Sequence, residues 1–543
     1  MMRTKYIFIA AALLSATSVV AQETYENANL ITEDLNGTAR YVGMGGAMEA
    51  LGADISTISS NPAGIGLFRH STANISGGLI TQSGAPSFAK GDKTNASLDQ
   101  IGFVYSMKTN KNSYLNFGFN YHKSKNFDYI LAAAGNLGGK ASQNALSYIK
   151  GIIDVKDEAT GGVYSDLNVE KVNNVLMGRD YYTSQLDNLY YNNFIFDADG
   201  NHGYNFADGY IMNREQSGYI GSYDFNISGN IKNKVFLGIT FGVKDVNYKA
   251  FGEYTEDLIN ADGMSIGSTT VRDSRNIEGT GFDVKAGIIF RPIDNSPFRI
   301  GLYVHTPTWY DLTTENYTTL ANGTNIAGYK NGWGTREAYD FKLYTPWKFG
   351  LSLGHTVGRN LALGATYEYA DYSNIDTRVN DGGYYDWWYD EYYSTSSSDD
   401  VMNDHTEKTL KGVSTLKLGL EYKPIDNFAV RMGYNYVSPM YKSDGYKDVS
   451  LDSYGTNYST TTDYTNWKST NRFTLGLGYT IDKFTIDFAY QYSAQKGDFH
   501  PFMDSYADYT HIDGSVENID NYADKVEVKN NRNQFLLTLG YHF

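Results

Sequence analysis

Gly43-Met44-Gly45-Gly46 is the run that most resembles a nucleotide-cradling loop. A dinucleotide fingerprint needs a further glycine at position 48, which is Met48, and a strand–turn–helix frame that its neighbours do not supply. Gly263-Met264-Ser265-Ile266-Gly267 spells a nucleophile elbow by letters. That chemistry requires a strand-to-helix turn, and this run falls between two strand-like segments. Asp197-Ala198-Asp199-Gly200-Asn201 with Asp208 has the oxygen density of a calcium loop. His202 stands where an EF-hand demands glycine, so an Asx turn with at most loose divalent binding is expected. The nine histidines contain no His-Glu-x-x-His and no close pair. Zero cysteines exclude thiolate metal sites, Fe–S ligation, disulfides and cysteine catalysis. The expectation is a protein that is not an enzyme, with no cofactor and no metal.

Two other sets of polar residues are candidates for contact rather than catalysis. Arg272, Arg299, Lys342, Lys348 and Arg431 alternate with apolar residues and are read as facing an interior, where they either steer a carboxylate or balance Asp283, Glu421 and Asp487. The aromatic and acidic run from Asp381 to Tyr393 suits a self-packed loop, or one touching a ligand, lipopolysaccharide or a partner.

The elements that must position these residues follow from composition and period. The chain has 543 residues, 55 glycines, 9 prolines and 48 tyrosines, with a net charge of −16. The acidic balance argues against nucleic-acid binding, which needs clustered Lys and Arg. Mean hydropathy is −0.43 although aromatics make 15 % of the chain. That pairing suits a membrane barrel, because only one face of each strand meets lipid. Arg3 and Lys5, an apolar run from Tyr6 to Val20, and Ser18 to Ala21 read as a secretory signal peptide over 1–21, cleaved before Gln22.

From residue 73 onward the signal is period-2 alternation. Val235, Leu237, Ile239, Phe241 and Val243 share one face. So do Phe484, Ile486, Phe488, Tyr490 and Tyr492, and the closing set Phe535, Leu537, Leu539, Tyr541 and Phe543. About fourteen such segments occur, near 73–82, 99–108, 113–123, 217–228, 233–256, 270–291, 298–313, 337–356, 360–373, 411–423, 427–438, 468–480, 483–495 and 526–543. Their connections alternate short and long, the longest being 124–216 and others including 374–410. Short periplasmic turns and long outer loops make that pattern in an all-β, fourteen-stranded antiparallel transmembrane barrel. Residues 22–72 lack the alternation, are rich in small residues, and read as weakly helical over 46–53.

That N-terminal segment resembles the hatch of the FadL/TodX (OmpP1)-type outer-membrane transporters of hydrophobic compounds. The resemblance rests on the Gly-rich run Gly37 to Gly46, on Ala53-Asp54, and on Asn61-Pro62-Ala63 just before the first strand. Strand phrases such as Thr345-Pro346-Trp347 and Leu418-Gly419-Leu420-Glu421-Tyr422 echo it. The 124–216 insertion departs from it, so no substrate-binding residue is carried over. The resemblance implies a lumen plugged by 22–72, with Gly45, Gly46, Asn61, Pro62 and Ala63 in hatch holding or gating. It implies passive passage of a long-chain fatty acid or aromatic solute, leaving sideways at a kinked third strand, here with a break at Lys123 to Asp128. The expected setting is the outer membrane of a Gram-negative bacterium, as a monomer, with lipid and lipopolysaccharide around it and the barrel-assembly machinery engaged through Phe543. Two other functions stay open: a cargo-binding barrel of a type IX secretion shuttle, and a nonspecific or haem-related channel.

Overall fold

The computed structural model describes residues 23–543, apart from 158–160, 173–174, 181–182, 197–198, 325–331, 335, 389–390, 452, 454 and 457–459. The signal-peptide reading, Asp197-Ala198 of the cation-loop reading and part of the 381–393 run lie outside the described residues.

Fourteen antiparallel strands close into a barrel. They are β1 Thr72–Gln82, β2 Thr94–Asn110, β3 Ser113–Asn126 continued by Tyr129–Ala141, β4 Phe206–Ile231, β5 Val235–Ile259, β6 Ser265–Phe290, and β7 Arg299–His305 continued by Trp309–Thr324. Then come β8 Glu337–Tyr344 with Lys348–Val357, β9 Leu361–Asp371 with Asp376–Asp386, β10 Gly412–Ile425, β11 Phe428–Val437, β12 Tyr464–Ile481, β13 Phe484–His500 and β14 Val526–His542. Pairing of β1 with β14, from Thr72↔His542 to Gln82↔Arg532, closes the ring. Closure joins the first and last strands, which removes the two outer edges a flat sheet would present to lipid.

The alternation sorts the two faces as the sequence predicts. Ile239, Leu351, Leu475, Phe488 and Leu537 are exposed on the outside. Their neighbours Thr240, Ser352, Thr474, Asp487 and Leu536 are buried inside. Among the described residues no helix is long and apolar enough to cross a membrane.

The strands run further than their sequence signal. β4, β5 and β6 are 26, 25 and 26 residues long. At about 3.3 Å per residue and the tilt of a barrel strand, they stand well clear of the membrane. Arg272 is therefore corrected from an interior to an exterior residue: it shares the outward parity of Phe282 and pairs with Glu253 at 2.7 Å, above the lipid. Lys342 also points outward, toward Asp311.

Prolines break the wall in one zone. Thr306–Thr308 interrupts β7 and Thr345–Trp347 interrupts β8, around Pro307 and Pro346, which cannot donate to the ladder. Threonines patch it: Thr306 Oγ1 accepts from Val284 N at 3.0 Å, and Thr345 Oγ1 accepts from Thr308 N at 2.8 Å.

The long 124–216 connection is partly strand, since Tyr129–Ala141 and Phe206 onward pair with each other. Its other described residues fold as a cap over the outer mouth, with α3 Gln143–Gly151 and α4 Gln185–Tyr190. Tyr190, Tyr191 and Phe194 share a core there with Phe499 at the end of β13 and Phe502 of the β13–β14 loop. Lys150 and Asp187 pair within it at 2.5 Å.

Candidate functional site: a plugged lumen and a broken third strand

Residues 23–67 lie inside the barrel as a lower plug and an upper strap. The plug contains α2 Ala39–Gly43 and two 3-10 turns, Ile55–Ser59 and Pro62–Leu67. The helical turn ends early, and 46–53 is not the helix expected, because Gly45 and Gly46 adopt left-handed φ of 63° and 78°. Gly45 also has no room for a side chain: a Cβ there would lie 2.8 Å from Tyr434 N and 2.9 Å from Leu418 O.

Asn61 caps the second 3-10 turn. Its Oδ1 accepts from Ala63 N at 3.2 Å, and its Nδ2 donates to Glu49 O at 3.0 Å. Pro62 O accepts from Ser228 Oγ of β4 at 2.8 Å, while Ala63 packs on Phe236 and Ile289. The five hatch residues chosen from sequence thus lie in the plug at two places on the wall, Gly45 and Gly46 against β10 and β11, and Asn61, Pro62 and Ala63 against β4 to β6. None of them lines the cavity described below.

Wall glycines receive the plug. Cβ atoms at Gly238, Gly287, Gly364, Gly419 and Gly433 would meet plug atoms at 2.4, 2.0, 1.9, 2.3 and 2.1 Å. Gly364→Ala, whose Cβ would strike the Ala47 carbonyl, is expected to displace the plug without disturbing the outward face. Planar-bilayer recording should then show higher ion conductance than wild type; an unchanged trace would mean that the plug does not seal there.

Charges tie plug to wall. Glu421 accepts from Arg40 Nε at 3.0 Å and Arg431 Nε at 2.7 Å, and Arg431 reaches Asp487 at 2.6 Å. Glu49 takes Lys417 at 2.9 Å, Tyr41 Oη at 3.0 Å and Thr366 Oγ1 at 2.7 Å. Asp54 accepts from Thr38 Oγ1 and Ser56 N; burial raises its carboxyl above the ordinary range although Arg40 opposes this. Arg431 therefore balances carboxylates, and Arg299 donates to Leu51 O of the plug.

The strap, residues 23–38, climbs from the plug to the outer mouth. Its helix α1, Thr24–Leu30, docks under α5, Asp400–Thr409, of the β9–β10 loop. Thr24 Oγ1 lies 2.8 Å from Thr406 Oγ1 and 2.9 Å from His405 Nδ1. Tyr25 stacks on Tyr441 at 5.2 Å and donates to Asn466 Oδ1 at 2.8 Å.

Lower down, Glu33 faces Lys348 at 2.5 Å and Lys244 at 3.7 Å. Enclosure in the barrel opposes its charge, yet those two lysines hold its carboxyl well below the ordinary range. A depressed carboxyl contributes stability that is complete above the ordinary carboxylate pKa and is lost as pH falls through the lowered one. The strap is therefore expected to stay docked from pH 8 down to about 5 and to loosen only below about pH 4. Thiol labelling of an Asn29→Cys variant across that range checks this; loosening already at pH 6 would contradict it.

The strap also fills a break in the wall. β2 and β3 pair only from Gln100↔His122 to Asn110↔Ser113, so Thr94–Asp99 has no ladder partner on the β3 side among the described residues. β3 bulges at Lys123–Lys125 and is interrupted at Phe127-Asp128, the stretch expected from the resemblance. Asn36 bridges the gap, its Nδ2 donating to Asp99 Oδ1 of β2 and Lys123 O of β3, both at 3.0 Å. Lys123 Nζ reaches across to Ser97 Oγ at 2.6 Å. Asp34 N donates to Ser124 O at 2.8 Å, and Asp34 Oδ2 accepts from Asn126 N at 2.9 Å.

Between plug, strap and break lies a cavity of about 390 Å³. Ile80, Phe127, Tyr129, Leu131, Tyr248 and Trp467 give it an apolar wall. Lys125, Arg472 and Arg532 form a cationic floor. Asp34 is the carboxylate among these three, at 3.8 Å from Arg472 and 4.0 Å from Arg532, while Lys125 donates to Thr32 Oγ1 at 2.6 Å. The cations higher up are matched more closely: Arg214 grips Asp463 through two bonds, Arg275 pairs with Glu26, and Lys447 lies 3.5 Å from Glu23. Of the cations chosen from sequence, only Lys348 lines the cavity.

These features define a class: a fourteen-stranded antiparallel β-barrel with an apolar outward belt, whose lumen is plugged by its own N-terminal segment. No protein-family model matches the chain, and no curated protein matches its sequence. Among solved structures, the chain is similar to a FadL homologue of Pseudomonas aeruginosa and to the toluene transporter TbuX of Ralstonia pickettii. Each is 12 % identical, with a TM-score of 0.47 over 94 % of this chain and 99 % of the other. The toluene transporter TodX of Pseudomonas putida is 11 % identical, with a TM-score of 0.43 over the same shares.

Proposed function

We propose that the chain is a passive transporter of hydrophobic small molecules, gated by its N-terminal segment. The observation that supports it most is the continuity of the cavity, at its aromatic wall, with the break in β3. Phe127, inside the break, and Tyr129, just beyond it, line the cavity themselves. A solute leaving there enters the membrane sideways without crossing water, and the plug below keeps an aqueous route shut. Asn61, Pro62 and Ala63, with Gly45 and Gly46, act as the anchor of that plug.

The cationic floor under an aromatic wall favours an amphiphile with one carboxylate, of the long-chain fatty acid type, over a neutral aromatic. Asp34 stands in the place such a carboxylate would take. Exchange of the two would free the strap, withdraw Asn36 from between β2 and β3, and open the break. A charge-assisted pair is worth about 1.5–3 kcal/mol, which is roughly ten- to hundredfold in Kd.

Binding of radiolabelled oleate to the purified, delipidated barrel tests this. Lys125→Gln/Arg472→Gln should weaken it by roughly tenfold or more, and Asp34→Asn should tighten it, while a neutral hydrocarbon probe changes little. Equal binding in all three proteins would remove the carboxylate reading; no saturable binding of either probe would remove the transporter reading. We read the chain further as a monomer that presents exposed Phe543 to the barrel-assembly machinery.

A further inference from the structure

The outward face above the lipid changes its charge around the rim. Along β5 to β8 it carries the carboxylates of Glu253, Glu278, Asp311 and Asp340, which outnumber Lys249, Arg272 and Lys342 on the same face. Across the barrel, on β12 to β14 and just before β14, it carries Lys468, Lys496, Lys529 and Lys525, each about half exposed. The parity places them. On β13, Lys496 and Asp498 continue the outward row of Phe488, Tyr490 and Tyr492; on β14, Lys529 and Glu527 continue the row of Leu537 and Phe535. Lys496 stands four residues beyond Tyr492, roughly 13 Å of tilted strand, which sets the lysines at the outer headgroup layer above the aromatic belt.

Two carboxylates serve four ammonium groups. Asp498 takes Lys468 and Lys525, both at 2.7 Å, and Glu527 takes Lys496 at 3.0 Å and Lys529 at 3.8 Å. With exposed Asp524 counted beside Lys525, the patch is net positive by one charge in a chain of net charge −16. Exposed pairs of this kind hold their partners weakly, so a phosphate dianion can recruit several of the lysines at little cost.

We infer that the lysine patch on β12–β14 docks a phosphorylated glycolipid headgroup of the outer leaflet. Complementary charge and the level of the patch select this occupant. Acyl chains would lie on Tyr490, Phe488 and Leu537 directly below. A soluble acidic partner would have to reach down to the membrane surface to touch the same lysines.

The full mature chain in nanodiscs containing bisphosphorylated lipid A tests this, with retained lipid counted by native mass spectrometry. Wild type should retain lipid A, and Lys468→Gln/Lys496→Gln/Lys525→Gln/Lys529→Gln should retain roughly tenfold less. Lys249→Gln/Arg272→Gln, on the far rim, should match wild type. Asp498→Asn/Glu527→Gln should retain more, and it decides the matter if the quadruple variant fails to insert. Dephosphorylated lipid A should not be retained, and millimolar inorganic phosphate should not displace the bound lipid. Wild-type retention by the quadruple variant, unchanged retention by Asp498→Asn/Glu527→Gln, or ready displacement by inorganic phosphate would overturn the proposal.

Discussion

Oxidised Thr24→Cys/Thr406→Cys protein is expected to take up no hydrophobic solute, and reduction should restore uptake. The two hydroxyls are 2.8 Å apart between α1 of the strap and α5 of an outer loop, so a disulfide forms there with little movement. The chain has no other cysteine, so the bond is unambiguous. A cross-link of this kind adds about 2–4 kcal/mol to the closed arrangement and also bars the strap from leaving it covalently. Because Asn36 closes the β3 break only twelve residues further on, holding α1 holds the break shut. Binding at the cavity should survive while uptake falls to background. Uptake at the wild-type rate under oxidation would show that the solute does not depend on the strap.

The second large effect is expected from Glu421→Gln. This carboxylate joins Arg40 of the plug to Arg431 of the wall; Glu421 and Arg431 are buried, and Arg40 is mostly so. Removing one charge of a buried cluster costs about 3–5 kcal/mol, because the partners left behind keep their desolvation cost. Arg431 retains Asp487, so the loss falls on Arg40 and the plug. An Ala47→Cys reporter should be labelled by a thiol reagent much faster in the Glu421→Gln background, with a lower urea midpoint for the whole barrel. Labelling at the rate of the parent would mean that the glycine contacts alone hold the plug.

The wall was legible in the sequence because its physics is local. Val235 to Val243 and Phe484 to Tyr492 alternate since one face meets lipid and the other a polar lumen, and both lie in the barrel as that pattern requires. The upper strands were not legible in full. Beyond the lipid the outward face turns polar, so Arg272 reads as an interior residue although its parity is that of Phe282. Tyr129 to Ala134 is apolar throughout: Tyr129, Leu131 and Ala133 pack into the core beneath the cap while Ala132 and Ala134 stay exposed, and a run without alternation does not announce a strand.

The candidate site was legible only in its anchor. Asn61-Pro62-Ala63 and Gly45-Gly46 carry local signals, a capped turn and two left-handed glycines. The cavity has none, since Lys125, Arg472 and Arg532 come from strands far apart in sequence and converge only when β14 meets β1. Asp34 and Asn36 sit in a stretch with no period at all. The one sequence signal was the cluster Lys123-Ser124-Lys125 at the expected break, facing a Glu33-Asp34 pair in the segment meant to fill the lumen.

The most direct test of the account is photolabelling with a diazirine-bearing long-chain fatty acid, on the barrel in lipid vesicles, with adducts mapped by peptide mass spectrometry. Adducts at Phe127, Tyr129 and Trp467 and along Ser97 to Lys123, suppressed by excess oleate and abolished in oxidised Thr24→Cys/Thr406→Cys protein at the Ser97–Lys123 positions, are the predicted result. Adducts confined to the lipid-facing belt around Phe488 and Leu537, and unaffected by oleate, would contradict it.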